Sequence, residues 1–173
     1  VAPSRLAKAQ FMVLEPEFDA YTSIRLVPPL QRNLSRKDKL LDRLVSDYLK
    51  TAKSGAGRYA VASAFRVGLA YEDYWESLLN STLPRGLSDE ETEVYRDLLA
   101  KQAAPYREKA MDAYQVTLRK TEGKGILNPW ILRAYSHLSA LDPAAYPPLL
   151  RDTLLWEETW KEKRIMVWNL DLS

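Results

Sequence analysis

Ala64-Phe65-Arg66-Val67-Gly68-Leu69-Ala70-Tyr71 is the stretch whose reading decides the fold. Ala64, Val67, Gly68 and Tyr71 fall on one helical face, because residues three and four apart are neighbours there. Small side chains on that face let a second helix approach closely, and the aromatic fills the gap beside them. Ala110, Tyr114 and Thr117 make a second such set, beginning 46 positions after the first. A glycine in mid-helix costs about 1 kcal/mol against alanine, so Gly68 reads as a close helix crossing. The two sets imply paired helices and an all-α chain.

The neighbouring segments extend this reading. Residues 58–79 form one helix, Ala-rich at first and then carrying Tyr71, Tyr74, Trp75, Leu78 and Leu79. Residues 36–53 form the clearest amphipathic helix. Its stripe is Leu40, Leu41, Leu44, Val45, Tyr48, Leu49 and Ala52, with Arg36, Lys37, Lys39, Asp42, Arg43 and Asp47 pointing elsewhere. Ser35 and Asp38 predict its start. Upstream, Phe11, Leu14, Phe18, Tyr21 and Ile24 predict a helix within 4–27, with Leu6 ahead of the stripe. Pro16 is placed to kink it and Pro28-Pro29 to end it.

Downstream, residues 80–87 read as a loop. Ser88 with Glu91 is a capping box that opens a helix over 89–122. Pro105 predicts a kink, or a split near Ala103–Ala104. Asn128-Pro129 is a cap with proline at the first helical position, and it opens a helix through Ala140. Leu149–Lys161 reads as a short helix, and Met166–Leu172 alternates with the period of an extended strand. The expected architecture is antiparallel helical hairpins stacked in two layers. Residues 1–146 form the helical domain. Residues 147–173 form an irregular Trp-rich segment packed on it or on a partner.

Composition narrows the function classes. The chain has 173 residues, enough for one well-buried core. It has no cysteine, which excludes disulfides, thiolate zinc sites and cysteine nucleophiles. A single histidine, His137, cannot build a His-rich metal site. The formal net charge of +2 is too small to argue for nucleic acid, although residues 1–60 carry the basic excess. No apolar run approaches the roughly 20 residues that span a bilayer, and no signal peptide is visible. The chain begins at Val1, which suits a processed chain or a piece of a longer one.

The run Ala64 to Tyr71 resembles the first helix of a tetratricopeptide repeat. Gly68 and Tyr71 match, Ala64 stands in place of the usual tryptophan, and Val67 in place of leucine. The run Ala110 to Thr117 resembles the second helix, matching at Ala110 and Tyr114 with Thr117 in place of alanine. The hairpin is longer than the regular repeat of about 34 residues. Its order is similar to the long-hairpin segment of large tetratricopeptide-repeat proteins from deltaproteobacterial cell envelopes, some of gliding-motility type. That order is an Ala-rich helix ending in Asp73-Tyr74-Trp75-Glu76-Ser77-Leu78-Leu79, the loop Leu83-Pro84-Arg85-Gly86-Leu87, Ala104-Pro105-Tyr106, and Asn128-Pro129-Trp130. The resemblance covers residues 35–143. It implies a TPR-like helical repeat, a non-enzymatic protein–protein interaction scaffold, and a periplasmic, envelope-associated place within a longer array.

Catalytic motifs are absent from the sequence: no G-x-S-x-G, H-E-x-x-H or phosphate loop occurs. No catalytic residue, metal or cofactor is expected. Gly55 and Gly57 read as helix punctuation. Tyr71, Tyr74 and Trp75 form an aromatic run, read either as core or as the wall of a peptide groove. Tyr74, Trp75, Trp156, Trp160 and Trp168 are the candidate partner contacts, since aromatics enrich interface hot spots. The rival reading is a helical-bundle ligand-binding or hydrolytic domain with a site near Tyr71, Glu72, Asp73 and Tyr74, where close carboxylates permit acid–base work. Cytoplasmic localisation is the alternative to the periplasm. Nucleic-acid binding and membrane insertion are not expected.

Overall fold

The computed structural model describes residues 3–53, 57–120 and 128–149. Five helices follow in order: α1 Pro3–Thr22, α2 Leu30–Lys53, α3 Gly57–Leu79, α4 Asp89–Arg119 and α5 Pro129–Leu141. No strand occurs among the described residues, so the all-α class holds. The expected helix at 149–161 and strand at 166–172 lie outside the described residues, apart from Leu149 itself. Trp156, Trp160 and Trp168 lie outside them too.

Several helix ends follow the sequence. Ser88 Oγ accepts from the Glu91 amide at 3.2 Å, and the Glu91 carboxylate accepts from the Ser88 amide at 2.8 Å. This is the expected capping box, satisfying orphan donors at the start of α4. Asn128 Oδ1 accepts from the Trp130 amide at 3.1 Å and caps α5.

Two helix bounds differ from expectation, and of the two alternatives at Pro105 the split does not occur. α1 stops at Thr22, and Ile24 and Leu26 are buried in non-helical backbone instead. α2 begins at Leu30, directly after Pro28-Pro29, where Asn33 Nδ2 donates to the Val27 carbonyl at 2.8 Å. Ser35 and Asp38 therefore sit inside the helix rather than at its cap. α4 runs unbroken through Pro105. Proline removes one rung of the ladder, while the buried Ala103, Ala110, Tyr114 and Thr117 hold the helix on both sides of it.

The chain divides into two compact units, Val1–Tyr135 and Ser136–Ser173. In the first, α1 packs on α2 and α3, and α3 packs also on α4. α3 is thus the central helix, which explains its composition. Its residues from Ala60 to Phe65 are all buried, so small side chains are needed on several sides at once. The core joins Phe11, Leu14, Phe18 and Tyr21 of α1 to Leu41, Leu44 and Tyr48 of α2 and to Val67, Tyr74 and Leu78 of α3. Each such buried side chain contributes about 1.5–3 kcal/mol. In the second unit, the end of α5 closes in a turn where the Ala145 amide donates to Asp142 Oδ1 at 3.1 Å.

The α3–α4 hairpin is pinned where the sequence predicts. A methyl group on Gly68 would lie only 2.6 Å from Tyr114 Cδ1. Tyr74 packs on Tyr106 with ring centroids 4.5 Å apart. This antiparallel register brings α3 to its end while α4 continues. The first dozen or so residues of α4, roughly 18 Å, overhang Leu79, and Asn80, Ser81 and Leu83 line a recess with Arg96, Asp97, Leu99 and Ala100.

Candidate functional site

The residues of α3 singled out by sequence occupy little more than one turn and face several neighbours, with Tyr71 and Tyr74 sharing Tyr106. Successive residues on a helix rotate by about 100°, so four in a row cannot converge on one substrate. Tyr71 is half-buried beside Tyr106, ring centroids 6.4 Å apart, with Lys109 Nζ 5.5 Å from its own centroid. Glu72 accepts a hydrogen bond from the Tyr114 hydroxyl. Asp73 reaches back to Lys37 of α2. Tyr74 is 3% exposed and donates its hydroxyl to Asp38. Its ring is spent on core neighbours, so it offers a partner little surface. Trp75 is half-buried against the core edge.

Asp73 belongs to a polar node that the sequence reading missed. Lys37 is fully buried, with 0% exposure, although its charge places it with the outward residues. Its ammonium stands 2.7 Å from Asp73 Oδ2 and donates to the Ile24 and Tyr21 carbonyls at 3.0 and 3.3 Å. It also lies 4.4 Å from the Tyr21 ring centroid. A helix end leaves carbonyls without partners and favours a cation. Lys37 supplies both a donor and a charge at this end of α1. The Tyr21 hydroxyl donates onward to the Ala70 carbonyl at 2.7 Å. Burial pushes the Asp73 carboxyl up, and Lys37 opposes that shift only in part. The legible signal was spacing, since Lys37 sits four before Leu41 and seven before Leu44, inside the stripe.

A second tie joins α1, α2 and α3. Arg66 holds the Glu15 carboxylate with two nitrogens, Nε at 2.9 Å from Oε1 and Nη2 against Oε2. The Tyr48 hydroxyl donates to the same carboxylate at 2.8 Å. The guanidinium lies 4.6 Å from the Phe18 ring centroid and 5.8 Å from that of Trp130. Burial raises Tyr48 above its ordinary value, and the Glu15 charge adds to it.

The overhang contrasts with these closed nodes. A recess of about 430 Å³ opens between the end of α3 and the start of α4. Leu79, Ser81, Leu83, Arg96, Leu99 and Ala100 are among its walls. Ser81 Oγ is buried there without a protein hydrogen-bond partner. Beyond it Val94 is 60% and Leu98 54% exposed, four residues apart on one face. Sequence reading passed over this pair, which sits among charged neighbours.

Among the described residues no group of His, Asp and Glu could hold a metal ion, and no helix is long and apolar enough to cross a membrane. No protein-family model, curated protein or solved structure matches the chain. The likeness to tetratricopeptide repeats therefore rests on the residues quoted for it.

Proposed function

We propose that the chain is a protein–protein interaction scaffold, a TPR-like helical module of a larger assembly, with no catalytic role of its own. One observation carries this reading. The carboxylates that lend themselves to chemistry, Glu15, Asp38, Glu72 and Asp73, each hold a tyrosine, lysine or arginine of another helix. They are occupied in joining helices. Apolar side chains stand exposed instead, at the α4 overhang. The contact surface is accordingly Leu79, Val94 and Leu98 beside the Ser81 recess, with Trp75 at the core edge, rather than Tyr74. A recess lined by Leu79, Leu83, Leu99 and Ala100 together with Asn80, Ser81, Arg96 and Asp97 suits a peptide segment bound by side-chain insertion. The resemblance over residues 35–143 assigns such a module to the periplasm, within an envelope assembly of gliding-motility type.

The test is affinity capture from native envelope extract with the intact chain, with Val94→Asp/Leu98→Asp, and with a chain ending at Tyr146. A protein recovered by the intact chain and lost with the double substitution supports the overhang as the contact. Identical recovery by the intact chain and the double variant overturns it. Loss only with the shortened chain moves the contact to the Trp-rich segment.

A further inference from the structure

α1 has a second apolar face. Its buried face carries Ala7, Phe11, Leu14, Phe18 and Tyr21. On the opposite side stand Leu6, Ala9, Val13, Pro16 and Ala20, all exposed, with Leu6 at 50% and Val13 at 69%. At roughly 100° per residue these five fall within about 80° of one another. Their spacings of three, four, three and four are those of a helix-pairing seam. No charged residue of α1 falls within that sector. Most of the five side chains are small, so a partner helix can approach closely.

The charges flank this seam in a polarised order. Arg5 and Lys8 stand beside its first half, and Asp19 lies on the same flank near its end. Glu17 and Gln10 border the other side. A two-fold axis through Val13 would set residue 6 against residue 20 of the other helix, and residue 19 level with residue 7. Asp19 of one copy would then lie between Arg5 and Lys8 of the second, and Glu17 beside Gln10. The pattern is self-complementary only when the helices run antiparallel. A parallel pair would set each flank against the other one, with Asp19 near Glu17 and only Gln10 near Arg5 and Lys8.

We infer that the outer face of α1 pairs with the same face of a second copy of this chain, antiparallel about Val13. The seam is about 21 Å long from Leu6 to Ala20 and its side chains are short. The interface falls below the roughly 1,200 Å² of standard complexes, so the pair is weak and reversible. The self-complementary surface is isologous and closes as a dimer.

The chain contains no cysteine, so single cysteines test the geometry directly. Sedimentation equilibrium of the intact chain, from micromolar to near-millimolar concentration, gives a concentration-dependent dimer. Val13→Asp weakens it by roughly tenfold or more while the helical circular dichroism is unchanged. Under mild oxidation Val13→Cys forms a covalent dimer, Leu6→Cys alone does not, and Leu6→Cys mixed with Ala20→Cys does. A monomer throughout, with no cross-link at position 13, overturns the pairing and leaves the face to a different partner. Cross-linking of Leu6→Cys with itself as readily as Val13→Cys overturns the antiparallel arrangement. Asp19→Lys weakens the dimer, and adding Arg5→Glu and Lys8→Glu restores it. Equal dimerisation by Asp19→Lys and the intact chain removes the charge argument.

Discussion

Gly68 lies against the ring of Tyr114, so close that a Cβ there would meet the aromatic carbons of a residue that is itself fully buried. The ring has nowhere to retreat. Its hydroxyl is tied to Glu72, and Phe65 packs on it with centroids 5.6 Å apart. Gly68→Ala gains about 1 kcal/mol of helix propensity and loses about 1–3 kcal/mol by overpacking. The net expectation is a loss of up to about 2 kcal/mol in denaturant unfolding. With Tyr114→Ala already in place, the same substitution becomes stabilising. An equal cost in both backgrounds would remove the ring contact as the cause.

Lys37 and Asp73 give a rank order. Asp73→Leu leaves a lysine at 0% exposure with only carbonyls and a ring around it, and is the most damaging change. Lys37→Met leaves a carboxylate that keeps 27% of its side-chain exposure. It costs less than the roughly 3–5 kcal/mol of breaking a fully buried pair. Lys37→Met/Asp73→Leu is more stable than either single variant. Urea unfolding of the three variants checks the order, and a double variant worse than both singles rejects it.

Asp73 also sets a pH dependence of unusual sign. Its folded pKa is raised above 3.8, chiefly by burial, so the folded chain binds its proton more tightly than the unfolded one. The stability this brings is fully present below 3.8 and is lost as pH rises through the raised value. The stability difference between the intact chain and Asp73→Asn therefore shrinks or turns negative as pH climbs through that window. A difference that grows with pH would show that Lys37 outweighs burial.

These two nodes differ in how far the sequence announces them. The Gly68–Tyr114 crossing was legible, because only close approach explains a glycine between Val67 and Leu69 in an otherwise continuous helix. The start of α4 was legible through Ser88 and Glu91, whose capping chemistry is local. The end of α1 and the start of α2 were not. At the first, Lys37 caps carbonyls distant from it in sequence, and residue type argued for its exposure. At Pro105 the sequence left a split open, and the helix continues through it with Ala103 and Ala110 buried on either side. The α4 overhang follows from the register of two helices, which no single segment encodes.

Four tyrosines predict alkaline unfolding. Tyr21, Tyr48, Tyr74 and Tyr114 are all raised above 10.0, in each case first by burial and then by neighbouring carboxylates or their hydrogen bonds. Above that value the unfolded phenols ionise and the folded ones stay protonated, so the folded state holds more protons and stability falls with rising pH. Ellipticity and phenolate absorbance are expected to change together in one transition above pH 10. Tyr48→Phe lowers the steepness of that loss, since one ionisable phenol is gone. Phenolate appearing before the ellipticity falls would mean these hydroxyls titrate within the folded chain.

The capping box of α4 separates local from global stability. Removing a Ser cap costs about 0.5–2 kcal/mol where the helix end is coupled to the fold. Here the first turns of α4 overhang α3, and Val94 and Leu98 are exposed, so little core packing depends on them. Ser88→Ala is therefore expected to raise amide exchange over residues 89–95 by roughly fivefold to tenfold, in line with about 1 kcal/mol of local opening. The midpoint of global unfolding should move far less than that figure implies. A full shift of the global midpoint would show that the overhang is bound into the core, and would remove the surface on which the proposed protein contact rests.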